Sequence, residues 1–159
     1  MRISGATSAE IEAIYRERFR AFLLSVTALL RDGEAALDVV QDGFALALRR
    51  RGSFRGEGNV EAWLWRIVLN VARDRLRSRR RQDALPQLET TEEGSDPDDI
   101  RASLLALPER QKLAVFLRYY ADLSYGQIAE ALGVSPGTVA ASLNAAHATL
   151  RRDLEEVAR

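Results

Sequence analysis

The chain has no cysteine, one histidine and one lysine among its 23 basic residues. Without thiols there is neither a disulfide framework nor a thiolate zinc site, and one imidazole cannot build a histidine metal centre, so no metal or other cofactor is expected. No run approaches the ~20 consecutive apolar residues of a membrane span, and the first residues lack the charged start, apolar stretch and small-residue cleavage site of a signal peptide. A cytoplasmic protein without membrane insertion is expected. Sustained strand-type alternation is missing too, so the fold class is all-α. No nucleophile–base pair or phosphate loop can be assembled, which argues against an enzyme.

What is present is unevenly spread. The net charge is zero, yet residues 1–82 hold 16 arginines against 10 acids, residues 83–99 hold 7 acids and no base, and residues 100–159 hold 7 bases against 6 acids. At 159 residues and 47% hydrophobic content, one moderate core or two small ones can form. The expected organisation is two small helical domains, 1–82 and 100–159, joined by a flexible acidic linker over 83–99 with two prolines and a glycine.

In the front half a first helix is expected over Thr7 to Asp32, opened by a Thr7–Glu10 capping box and ended near Gly33. A second runs from Glu34 to Arg51, with Leu37, Val40, Phe44, Ala47 and Leu48 on its inner face and Gly52 as terminator. Glycine-rich residues 52–58 form a loop. Asn59 then caps a long helix ending in Arg79, Arg80 and Arg81, with Val60, Leu64, Ile67 and Val71 as its apolar stripe. Trp63, Arg66, Asn70, Arg73 and Arg77 fall on neighbouring faces. Aromatic rings and an amide can hold an unstacked base while arginines fork onto phosphates, which is the chemistry of a single-strand-binding surface.

In the back half Ile100 to Ala106 is a short helix, and Pro108 opens another with Leu113, Phe116 or Leu117 and Tyr120 inward. Ser124 and Gln127 make a second capping box, Gly133 turns the chain, and Ser135-Pro136 starts a last helix with Val139, Leu143, Ala146, Leu150 and Leu154 on one side. Helix, tight turn and helix make a helix-turn-helix unit, whose second helix usually enters the major groove.

These motifs, in this order, resemble bacterial RNA polymerase sigma factors of the small extracytoplasmic-function group, over about Phe19 to Leu154. Residues 38–44, Asp-Val-Val-Gln-Asp-Gly-Phe, resemble the motif that binds the polymerase clamp; Trp63-Leu64, Ile67, Asn70, Asp74 and Arg77 resemble the helix that opens and reads the −10 element. Residues 107–111, Leu123-Ser124-Tyr125, Ile128-Ala129, Leu132-Gly133 and Gly137-Thr138-Val139 resemble the −35 recognition domain.

The resemblance implies a transcription initiation factor whose partners are core polymerase, at its clamp coiled-coil and flap, and promoter DNA, both duplex and melted non-template strand. A probable anti-sigma factor would clamp the two domains. It places Asp38, Gln41 and Asp42 on the polymerase. Phe54, Arg55, Trp63, Arg66, Asn70, Arg73 and Arg77 fall on the −10 DNA, with Phe54 or its neighbours forming a pocket for a flipped base. Ser135, Pro136, Thr138, Ala140, Asn144 and His147 fall on the −35 DNA. The last helix departs from the family in having Ala140 to Thr149 almost without charge, so weak duplex binding is expected. Leu37 and Leu69 stand where the family often has an acid and an arginine, the second removing one charge from the DNA face. The alternative these departures leave is a sigma-like decoy that binds an anti-sigma factor without directing transcription.

Overall fold

A computed structural model describes residues 5–82 and 99–159, so most of the expected acidic linker lies outside the described residues. Seven α-helices, with one 3-10 turn at Arg51–Ser53, are formed among them: α1 Ser8–Leu30, α2 Gly33–Arg49, α3 Val60–Gln82, α4 Asp99–Ala106, α5 Glu109–Tyr119, α6 Tyr125–Leu132 and α7 Pro136–Val157.

Local chemistry sets most of the boundaries. The Thr7 hydroxyl accepts from Glu10 N while the Glu10 carboxylate accepts from Thr7 N, closing the first capping box. Ser124 and Gln127 close the second in the same way. The Asn59 Oδ1 accepts from Ala62 N at 3.1 Å, as expected of an N-cap. The expected stop at Gly33 is displaced: Arg31 ends α1 in the left-handed region with φ 57°, and Gly33 already opens α2. The reason is Asp32, whose Oδ1 accepts from Glu34 N and Ala35 N at 3.1 Å each. A strong cap directly after α1 forces the reversal onto the residue before it, although arginine adopts that conformation less readily than glycine.

In the front half α1, α2 and α3 pack around aromatic side chains. Phe22 stacks on Trp65 with centroids 3.7 Å apart and planes at 11°, and meets Phe44 edge-on at 4.9 Å. Such pairs add about 0.5–1.5 kcal/mol each beyond area burial. The inner face of α2 is rotated from the expectation. Ala35, Ala36, Val39, Val40, Gly43, Phe44 and Ala47 are buried, whereas Leu37 and Leu48 are exposed. Small residues are inside because α2 and α3 approach closely: a Cβ on Gly43 would lie 2.7 Å from Val68 Cγ2 and 3.0 Å from Val68 Cα.

The apolar arc of α3 is likewise wider than a single stripe. Ala62, Leu64, Trp65, Val68, Leu69 and Ala72 are buried, and the expected Val60, Ile67 and Val71 are partly buried against the same core. A helix with α1 and α2 against it and α6 also packed on it needs apolar side chains around more than half its circumference.

In the back half Leu113, Leu117, Leu123, Ile128 and Leu143 are fully buried. Gly133 caps α6 at φ 68°, the left-handed position for which glycine is the natural residue. Tyr120, expected inward, is half exposed and stacks on Phe116, since α5 ends one residue before it. Leu154 is 46% exposed because the last turns of α7 run past the core. The two halves are not separate bodies: α5 lies on α1, α6 lies on α3, and their buried side chains form one continuous cluster.

Candidate nucleic-acid and polymerase interface

Trp63, Arg66, Asn70, Arg73 and Arg77 recur three and four residues apart, so they form one strip along α3, away from its buried arc. Arg66, Asn70 and Arg77 are exposed; Trp63 and Arg73 are partly buried. Two of the arginines already have partners: Arg77 pairs with Asp74, and Arg73 Nε donates to Glu109 Oε1 at 2.9 Å. Arg79 leaves the strip altogether. It donates to Leu30 O at 3.1 Å and Asp32 Oδ2 at 2.9 Å, tying the end of α3 to the α1–α2 joint. The Asp32 carboxyl is held below the usual carboxylate range chiefly by the Ala35 N–H, with Arg79 adding to it.

Three expectations for this region change in the folded chain. Phe54, expected in an open base pocket, is 7% exposed and packs on Trp63 at 5.6 Å, so in this arrangement it buttresses the tryptophan from below. Arg55 beside it is exposed. Leu69, read as a charge missing from the DNA face, is fully buried and points into the core, so the DNA face loses nothing by it. Of the two tryptophans, Trp65 is the core residue and Trp63 the partly open one; their spacing of two residues on one helix makes the division, which neighbouring helices then fix.

On α2 the segment 38–44 divides cleanly. Asp38, Gln41 and Asp42 are exposed, while Val39, Val40, Gly43 and Phe44 hold the helix in the core. Leu37 and Leu48 share the exposed face, giving it an apolar component that an acid-centred reading of the motif passes over. Exposure of large side chains at helical spacing was the available signal.

At the start of α7 the Ser135 Oγ accepts from Thr138 N at 3.1 Å, Pro136 occupies the first turn, and the exposed side chains beyond are Ala141, Asn144 and Ala145. Thr138 and Ala140 are half-buried, and Thr138 Oγ1 lies 2.9 Å from Ser135 Oγ. His147 is also half-buried, its Nε2 2.9 Å from the Tyr119 hydroxyl, which ties it to α5. Among the described residues no cluster of three or more His, Asp or Glu is arranged to hold a metal ion, and no helix is long and apolar enough to cross a membrane.

An all-helical chain with an arginine and tryptophan strip on one long helix and a capped helix-turn-helix behind it has the make-up of a DNA-binding factor. The family model for Sigma-70 region 2 matches residues 14–82, and that for Sigma-70 region 4 matches residues 98–150. The chain is 30% identical to the RNA polymerase sigma-H factor of Pseudomonas aeruginosa, over 84% of this chain and 80% of that one. It is 32% identical to the ECF RNA polymerase sigma factor SigL of Mycobacterium tuberculosis, over 98% of this chain and 97% of that one. Among solved structures it is similar to the sigma factor RpoE in complex with the anti-sigma factor NepR from Bartonella quintana. The TM-score is 0.74 at 25% identity, covering 92% of this chain and 97% of that one. The fold is shared also with CnrH in complex with the cytosolic domain of CnrY, with a TM-score of 0.70 at 21% identity, covering 95% of this chain and 91% of that one. The chain belongs to the RNA polymerase sigma factors, in the extracytoplasmic-function group, and is a transcription initiation factor.

Proposed function

We propose that the front half, residues 1–82, binds core polymerase and the −10 element while the back half, 100–159, binds the −35 element, and that strand opening is driven from α3. The observation that carries this reading is the strip of Trp63, Arg66, Asn70, Arg73 and Arg77, kept on one side of a helix whose other sides are buried. Trp63, supported by Phe54, offers a flat surface to an unstacked base; Asn70 offers a donor and an acceptor to its edge; Arg55, Arg66, Arg73 and Arg77 meet phosphates. Stacking and hydrogen bonds to unpaired bases recover the few kcal/mol that unstacking costs. Binding that is tighter to the melted strand than to the duplex shifts the promoter toward the open state, and the protein itself makes and breaks no bond.

The exposed face of α2, with Asp38, Gln41 and Asp42 flanked by Leu37 and Leu48, fits the basic coiled-coil of the polymerase clamp. The back half meets the polymerase flap as well as DNA. On α7 the capped N-terminus at Ser135, Pro136 and Thr138 presents backbone N–H groups to a phosphate, and Asn144 is the side chain best exposed for a base edge. Ala140 and His147 border that surface. The factor acts in the cytoplasm, needs no cofactor and is regulated by an anti-sigma factor, a partner class that the similar sigma factor RpoE has in its solved complex.

The test is a reconstituted holoenzyme with permanganate footprinting on a promoter selected from genomic fragments. Asn70→Ala combined with Trp63→Ala should keep core binding and lose reactive thymines in the −10 region. Unchanged melting would remove α3 from the mechanism, and titration of an anti-sigma factor without any core binding would make the chain a decoy.

A further inference from the structure

The back half touches the front half at the strip assigned to DNA. The Arg73 guanidinium is taken by Glu109 at the start of α5, at 2.9 Å. The Arg66 guanidinium lies beside Gly133 at the end of α6. On the loop before α3, a Cβ on Gly58 would sit 2.6 Å from Glu130 Oε1, so α6 reaches that loop without a gap.

Beneath these contacts lies the chain's single lysine. Lys112 is 8% exposed, and its Nζ donates to Ala28 O in the last turns of α1 at 3.2 Å. The negative end of a helix dipole suits an ammonium, but one carbonyl does not fully replace its hydration. The other charged groups near it are Arg31, which repels it, and Glu109, which attracts it; burial above all, then Arg31, pushes the Lys112 pKa down. A charge sequestered without a carboxylate bonded to it fixes the register of a contact more than it strengthens it. The face of α2 with Asp38, Gln41 and Asp42 meanwhile stays exposed.

We propose that the free factor masks itself: its own back half, registered by Lys112 against α1, closes over the DNA-reading strip of α3 while the polymerase-binding face of α2 remains open. This rests on the assignment of α3 to the melted strand. Polymerase can therefore engage the closed chain first, and DNA reading requires the halves to part. Apparent affinity for single-stranded DNA is reduced by the fraction of open molecules.

The absence of native cysteine makes the measurement simple, because thiols introduced at the exposed positions Ala13 on α1 and Glu156 on α7 take a donor and an acceptor dye without background. The free full-length chain should give one narrow energy-transfer population that moves to a longer distance when core polymerase is added. Lys112→Glu, which sets a carboxylate against the Ala28 carbonyl, should open the free chain and raise affinity for a labelled −10 non-template oligonucleotide about tenfold. That gain runs against the added negative charge, so simple electrostatics cannot produce it. Glu109→Gln, at a partly exposed ion pair and harmless to folding, should give a gain of up to about fivefold. Circular dichroism confirms that both variants stay helical.

A broad transfer distribution in the unmodified free chain, unchanged in the two variants, overturns closure. Opened variants with unaltered oligonucleotide affinity, where Asn70→Ala still abolishes binding, overturn the masking alone. Oligonucleotide binding that ignores Asn70→Ala and Trp63→Ala in every background overturns the underlying assignment of α3.

Discussion

Replacing Gly43 by alanine places one methyl group where α2 crosses α3, and the outcome can be worked from three distances. The new Cβ would lie 2.7 Å from Val68 Cγ2, 3.2 Å from Val68 Cβ and 3.0 Å from Val68 Cα. A rotamer change moves the first atom but not the other two, so the helices themselves must separate by some tenths of an ångström. Overpacking of this kind costs about 1–3 kcal/mol. Alanine in place of a helical glycine returns up to about 1 kcal/mol. The net expectation is a loss of about 1–2 kcal/mol, or a Tm lower by about 2–8 °C for a chain of this size. Thermal and urea unfolding followed by circular dichroism reads it directly. Adding Val68→Ala should recover part of the loss, with a coupling on the order of 1 kcal/mol in a double-mutant cycle. Because Asp38, Gln41 and Asp42 face outward, core polymerase binding should persist while promoter melting, which needs α2 and α3 in fixed relation, falls. An equal or higher Tm for Gly43→Ala, with no coupling to Val68, would show that the two backbones are not in tight contact here.

Two further outcomes are expected. Ala140→Arg with Ala145→Arg on α7 should tighten duplex binding and steepen its salt dependence by a slope of about 0.9 per new phosphate contact; an unchanged slope in a fluorescence titration would show that this face does not meet the DNA backbone. For Asp32, the folded-state pKa lies below the unfolded one, so its stabilisation is complete above the unfolded value and disappears as pH falls through the folded value. Asp32→Asn should thus keep the helix cap at neutral pH and flatten the acid limb of the stability curve below about pH 4, and an identical limb in both proteins would refute the linkage.

Much of the protein is written in short-range patterns. Both capping boxes, the Asn59 and Ser135 caps, the Gly133 turn and the helices they bound follow from interactions between residues no more than four apart, which any local reading can see. The order of the polymerase and promoter motifs was legible for the same reason, since each sits within one helix or one turn. Which side of a helix faces inward depended on its neighbours. Leu37 and Leu48 of α2 are outside because Gly43 draws α3 against the small residues, and Leu69 is inside because α3 is packed on several sides. Phe54 and Trp63 became a pair only when the loop folded back on its helix.

Lys112 is the clearest case. In the sequence it is one lysine among arginines, with nothing nearby to single it out; its partner, the carbonyl of Ala28, is 84 residues away on another helix. Composition and periodicity determined an all-helical sigma factor with its reading strip on α3. That this strip lies under the chain's own back half was decided by contacts between residues far apart in the chain, and such contacts leave no period or spacing behind.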